Sequence, residues 1–160
     1  MPNNWISWII LVAICFGAAA IGSLFTSSSV NTWYPGLLKP AGTPPAWVFG
    51  PVWSTMYLLM ATAAWLVWRQ RTVEDVRLTL GLFFGQLVLN AAWSFVFFGL
   101  RRPGAALVEI LVLLAAIVLT ATRFGMVSRL AFWLMAPYVA WVAYATFLNF
   151  GIWNLNRGAA

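Results

Sequence analysis

The sequence predicts an all-α membrane protein, a bundle of five transmembrane helices with an ordered loop capping one end. Three observations carry that prediction. Of the 160 residues, 63% are hydrophobic and only 8% charged, with a mean hydropathy of +0.89, far from the balance of a water-soluble domain. The charges gather in short clusters, Arg69/Arg71/Glu74/Asp75/Arg77, Arg101/Arg102, Arg123/Arg129 and Arg157, which mark loops. Between them lie apolar runs long enough for helices to cross a hydrocarbon core of ~30 Å. Barrel strands would need about 9 to 11 residues of alternating polarity, and these runs do not alternate.

The first run, 5–26, has no basic flank and is too long for a signal-peptide core, so it reads as a retained first helix. The second, 44–68, opens with Thr43-Pro44-Pro45-Ala46, where Thr43 is the expected N-cap and the prolines occupy a first turn that does not need their N–H groups. The remaining runs, 78–100, 105–122 and 130–153, follow short links, so helices from the second onward are expected to lie antiparallel and in contact. The chain 1–160 is thus expected to form one five-helix domain. The link 27–43 is longer. Ser27-Ser28-Ser29 would suit disorder, but Trp33, Tyr34, Leu37 and Leu38 gain by packing, and Pro35 and Pro40 lower the entropy lost on ordering. An ordered cap is the expectation.

A formal charge of +6 carried by arginines that flank apolar runs points to a lipid bilayer and its anionic headgroups as partner, and not to nucleic acid. One cysteine excludes an intramolecular disulfide, and the lack of histidine removes the commonest metal ligand and general base. No metal site is expected. Arg69, Arg71, Arg77, Arg123 and Arg129 would share one membrane face, against Lys39, Arg101, Arg102 and Arg157 on the other, so orientation is undetermined.

Uncharged polar residues inside spans are informative, because lipid cannot satisfy them. Gln86, Asn90 and Ser94 follow i, i+4, i+8 on one face of the third helix. Tyr138, Trp141, Ala145 and Asn149 form a stripe on the fifth, and Trp53 and Tyr57 lie one turn apart on the second. Two readings fit: interhelical glue, or the wall of a pocket for a flat apolar ligand. Trp5, Trp8, Trp65, Trp68 and Trp153, at span ends, read as interfacial belt residues. Trp53 and Trp141 lie deeper, beside Pro51 and Pro137, which free the carbonyls of Trp47 and Trp133 and open space in a bundle. Glu109 is expected to snorkel or pair with Arg101 or Arg102. Gly81 and Gly85 form a G-x-x-x-G on the third helix, a candidate homodimer interface, and Ala18 with Gly22 is a similar small pair on the first.

Three separated stretches, WYPGLLKPAGTPPAWVFGPVWSTMY, GQLVLNAAWSFVFFG and PYVAWVAYATFLN, resemble the translocator protein or tryptophan-rich sensory protein family (TspO/MBR), in the family's order and over nearly the whole chain. The resemblance implies a five-helix bundle, usually dimeric, that binds porphyrins such as protoporphyrin IX and haem, and in animals cholesterol and benzodiazepine-site ligands. The family's pocket positions fall on Tyr34, Trp53, Asn90, Trp141 and Ala145. Adding the polar stripes, the expected ligand-binding set is Tyr34, Trp53, Tyr57, Asn90, Ser94, Tyr138, Trp141, Ala145 and Asn149. The resemblance also implies a light- and oxygen-dependent porphyrin breakdown in some bacterial members, with Trp53 and Trp141 as the residues involved.

Two departures stand out. Gly42 replaces a common aromatic after Lys39-Pro40, which would loosen the loop. In LNFGIWNLNR, Phe150 and Gly151 stand where a sterol-recognition pattern has tyrosine, and Asn154 where it has a basic residue. The expected function is a multi-pass membrane binding or sensory protein, in a bacterial membrane, that requires no cofactor and takes porphyrin as ligand. Porphyrin degradation and tetrapyrrole or sterol transport are the alternatives, although no internal repeat or paired intramembrane charge marks a secondary transporter.

Overall fold

A computed structural model describes residues 4–73 and 75–158. It contains α1 (Asn4–Ser29), α2 (Ala46–Trp68), α3 (Arg77–Ser94), α4 (Pro103–Val127) and α5 (Arg129–Asn156), and no strand among the described residues. All five helices are long and apolar enough to cross a membrane, so the protein is an integral, multi-pass membrane protein.

The helix ends differ from the sequence reading for local reasons. The helix α1 runs through Ser27-Ser28-Ser29 because Ser27 and Ser28 donate to the carbonyls of Leu24 (3.2 Å) and Phe25 (2.8 Å), three residues back. Thr43 is not the N-cap of α2. Its hydroxyl donates to the Pro40 carbonyl (2.8 Å), and Pro45 occupies the cap, since consecutive prolines hold the preceding backbone extended until Ala46. The helix α4 is longer than expected, taking Pro103 as its first residue and Arg123 into its last turns. Only Ser128 separates α4 from α5, and its hydroxyl caps α5 by accepting from the Ala131 N–H (3.4 Å). Glu109 pairs with neither Arg101 nor Arg102. Both its oxygens are buried without a hydrogen-bond partner among the described residues, and Arg101 turns its Nε toward Ser29 Oγ (3.4 Å).

The helices form a ring in the order α1, α2, α5, α4, α3. Thus α2 and α3, consecutive in sequence, are not ring neighbours and touch only weakly. The link 69–76 spans that separation, and α1 closes it on one side. The shared core draws Met60, Ala61 and Ala64 from α2, Phe83 and Leu87 from α3, Ile110, Leu113 and Ile117 from α4, and Met135 and Val142 from α5. Fully buried alanines let α2 approach its neighbours closely, while Leu24 and Val88, each 70% exposed, face outward as lipid requires.

A π-helical turn, Phe95–Gly99, ends α3. The Leu100 N–H reaches back five residues to the Phe95 carbonyl (2.8 Å), and the extra residue carries Phe97 and Phe98 inward together, their centroids 4.8 Å apart. Ser29 donates to the Phe98 carbonyl (2.8 Å).

The loop between α1 and α2 is tied down over this end. Asn156 accepts from the Leu38 N–H (3.1 Å) and donates to the Leu38 carbonyl (2.9 Å), copying a strand-like pair with one side chain. Tyr144 donates to the Gly42 carbonyl (2.6 Å), Trp33 meets Phe97 edge-on, and Lys39 lies 4.7 Å over the Tyr34 ring. Both departures from the family pattern belong to this seam. Gly42 has φ +90°, which side chains rarely adopt, and a Cβ on Gly151 would lie 2.7 Å from the Pro40 ring. Gly42 thus holds a turn that a side chain would strain, with its carbonyl bonded to Tyr144.

Gly151→Ala is expected to lift the loop, costing about 1–3 kcal/mol, and Asn156→Ala to release it at Leu38. Hydrogen exchange of the loop in detergent should rise in both variants, while exchange in the α4 core stays unchanged.

Candidate ligand-binding site

Beneath the loop, in the space between α2 and α3, lies a cavity of about 460 Å³, within the range of small-molecule pockets. Aromatic rings dominate its wall: Phe49 and Trp53 from α2, Trp93 and Phe97 from α3, and Trp141 from α5. Phe49 packs edge to face on Trp141 at 6.1 Å and Trp53 on Tyr138 behind it at 6.3 Å, while Trp93 stacks on Phe97 at 5.0 Å. The helix α1 supplies small and hydroxyl residues, Ala19, Gly22, Ser23 and Thr26, and Gly22 lies close to Ser94, where a Cβ would come within 3.2 Å of the hydroxyl. The exposed lining residues, Phe16, Ser23, Ser27, Ala46, Gly50 and Ser54, all belong to α1 and α2. The cavity therefore opens sideways between those two helices, where a bilayer would lie.

Its floor is polar and fully occupied. Tyr57 donates to Asn90 Oδ1 (2.5 Å), Asn90 Nδ2 donates to the Tyr138 hydroxyl (2.9 Å), Tyr138 donates to Gln86 Oε1 (2.9 Å), and Gln86 Nε2 lies 3.8 Å from Met60 Sδ. This line crosses from α2 through α3 to α5 and returns to α2. At the upper end Asn149 accepts from Trp93 Nε1 (3.0 Å) and donates to the Pro103 carbonyl (2.8 Å), fastening α3, α5 and the start of α4 together.

Of the residues expected from sequence, Tyr34, Trp53, Tyr57, Asn90, Ser94, Trp141, Ala145 and Asn149 line the cavity. Tyr138 does not: it is 0% exposed and sits behind Trp53 as part of the polar line. The interhelical bonding expected of the stripes is present, since the amides of Asn90 and Asn149 join helices, and both residues also line the cavity. Burial pushes the Tyr34 hydroxyl above its ordinary range, so it stands at the rim as a neutral group. Gly81 and Gly85 lie elsewhere, on the outer face of α3, exposed and with open space where a Cβ would be.

Sequence reasoning missed Trp93, Phe97, Phe49 and the whole contribution of α1. The first two continue the Asn90 stripe at i+3 and i+7, and Phe49 precedes Trp53 by one turn, so helical spacing held that signal. The tryptophans assigned to the belt are more varied than a belt requires. Trp8 donates to Thr62 Oγ1 (3.2 Å), joining α1 to α2, and Trp153 packs on Gly104, where a Cβ would approach Nε1 to 2.8 Å.

Five spanning helices around an aromatic chamber define a polytopic membrane protein with an internal cavity. The chain belongs to the TspO/MBR family, whose model matches residues 10–154. It is 44% identical over 140 residues to the translocator protein of Homo sapiens, covering 86% of this chain and 83% of that protein. It is 42% identical over 147 residues to the tryptophan-rich protein TspO of Archaeoglobus fulgidus, covering 92% and 94%. With the tryptophan-rich sensory protein of Cereibacter sphaeroides it shares 33% identity over 156 residues, 98% of this chain and 95% of that one. Family membership gives the protein a membrane translocator or sensory role.

Asn90→Leu would leave the Tyr57 hydroxyl without its acceptor inside the bundle and take one of two partners from Tyr138, which keeps its bond to Gln86, and a loss of roughly 1–3 kcal/mol is expected in unfolding measured in detergent micelles. Ser94→Ala, for which no such network exists among the described residues, should change stability by less than about 0.5 kcal/mol.

Proposed function

We propose that the protein binds a flat, largely apolar ligand of the porphyrin class, protoporphyrin IX or haem, in the cavity beneath its loop. The observation that carries this reading is a chamber walled by indoles from two different helices, Trp53 on α2 and Trp141 on α5, with its mouth toward the bilayer. A planar macrocycle dissolved in lipid reaches such a site without crossing water. Affinity comes from desolvation against aromatic faces, each ~100 Å² of apolar surface contributing about 2.5 kcal/mol before the cost of association. The capped end also carries the chain's Lys39, Arg101, Arg102 and Arg157, which suit the carboxylates of a porphyrin's edge. Tyr34 supplies a hydrogen bond at the rim. Sterols and benzodiazepine-site ligands are the other apolar candidates for the same space.

Protoporphyrin titrated into protein in lipid nanodiscs tests the reading. Trp53→Phe and Trp141→Phe are each expected to weaken binding about tenfold, and Ala145→Phe to abolish it by filling the space. Trp65→Phe, outside the cavity, should leave binding unchanged. Equal losses at Trp53, Trp141 and Trp65, or retention by Ala145→Phe, would exclude this cavity.

The protein is also proposed to form a homodimer through the outer face of α3. Gly81 and Gly85 leave that surface open to close approach by a second copy. Chemical crosslinking in membranes should lose the dimer in Gly81→Leu/Gly85→Leu, and a dimer that survives both substitutions would discard this interface.

A further inference from the structure

At the opposite end of the bundle from the cavity, the corner between α2 and α3 holds a groove of about 840 Å³. Its upper wall is charged, with Arg71, Asp75 and Arg77, and its lower wall is the apolar outer face of α3 at Gly81 and Phe84, with Trp68 of α2 alongside. Arg71 is held in place. Its guanidinium lies 4.4 Å over the Trp68 ring and donates Nη1 to the Trp68 carbonyl (3.0 Å), and it forms no ion pair among the described residues. The indole Nε1 of Trp68 is itself buried without an acceptor among those residues. Arg77 is exposed and only loosely matched to Asp75 at 4.0 Å, and α3 carries no acidic residue in its first turn.

Below this cationic level the helix surface is hollow. A Cβ on Gly81 would meet nothing within 4 Å. From Arg77 to Phe84 the groove descends about 10 Å along α3 at ~1.5 Å per residue, from headgroup level into the hydrocarbon. The corner as a whole, Arg69, Arg71, Glu74, Asp75 and Arg77, keeps a net positive charge. A fixed guanidinium above an apolar slot is complementary to one kind of molecule already present in any membrane, a phospholipid whose headgroup is anionic.

We propose that this groove is a binding site for an anionic glycerophospholipid of the surrounding bilayer, with its phosphate on Arg71 and Arg77 and one acyl chain in the slot beside Gly81, at the edge of the face proposed for a second copy. The site does not depend on what occupies the cavity at the other end. It turns two features with no role in that cavity, an arginine laid on a tryptophan and the open surface beside Gly81, into the two halves of one recognition element.

Native mass spectrometry of the full chain, released from nanodiscs holding equal phosphatidylglycerol and phosphatidylcholine with the same acyl chains, tests the proposal. Phosphatidylglycerol should be retained over phosphatidylcholine by about fivefold, and Arg71→Gln should bring the ratio close to one. Arg129→Gln, on the same membrane face but outside the groove, should leave the ratio unchanged. Gly81→Leu should lower retention of both lipids. Gly85→Leu, one turn along the face proposed for the second copy, should not, which separates filling the slot from loosening a dimer. Equal retention of the two lipids, or a preference that survives Arg71→Gln, would overturn the proposal. Displacement of phosphatidylglycerol by inorganic phosphate alone would reduce the site to an anion contact and would overturn it as well.

Discussion

The structure depends on satisfying polar groups where no water reaches them. Inside a bilayer, apolar packing hardly distinguishes one helix arrangement from another, because lipid is as apolar as leucine. Direction comes from hydrogen bonds and from small residues. The line Tyr57, Asn90, Tyr138, Gln86 and Met60 supplies it here, joining α2, α3 and α5 at one level of the bundle. Because α2 and α3 scarcely touch, this line bridges the space between them. Its Tyr57 and Asn90 also form the floor of the cavity. The bonds that hold these helices together therefore also define the depth of the chamber above them.

The cap obeys a second constraint, that a loop over an apolar chamber must find partners for its own backbone. Asn156 serves both backbone groups of Leu38, and Tyr144 serves Gly42. Two glycines make these contacts possible, Gly42 by its φ of +90° and Gly151 by letting the Pro40 ring lie directly on α5. The position where a sterol-recognition tyrosine would fall is thus occupied by the seam between loop and helix. With the loop held from above and the exposed lining confined to α1 and α2, the chamber faces the membrane more than the water. That geometry suits the translocator or sensory role of the family.

Much of this could be read from residue order. Charge clusters and apolar runs located all five helices, and the spacing of Asn90 with Ser94 and of Trp141 with Ala145 placed those side chains on common faces that the structure turns toward the cavity. Errors arose where a contact distant in sequence overrode a local signal. Ser27-Ser28-Ser29 looked like loop but continues α1, because serine hydroxyls can bond to their own helix and Ser29 also reaches Phe98. Glu109 looked pairable with its nearest arginines, yet Arg101 is drawn to Ser29 instead. The π-helical turn at Phe95–Gly99 has no periodic signature, since one extra residue per turn is set by what packs against it.

The sequence by itself determined that the chain crosses a membrane five times and that its polar and aromatic residues lie in helical stripes, because helix length and periodicity are properties of contiguous residues. Tertiary structure alone decided the ring order that separates α2 from α3, the withdrawal of Tyr138 from the cavity wall into the hydrogen-bonded floor, and the contribution of α1 to the chamber. Those outcomes rest on which distant donors and acceptors meet inside a medium that offers none of its own, and such pairings are not encoded in any single helix.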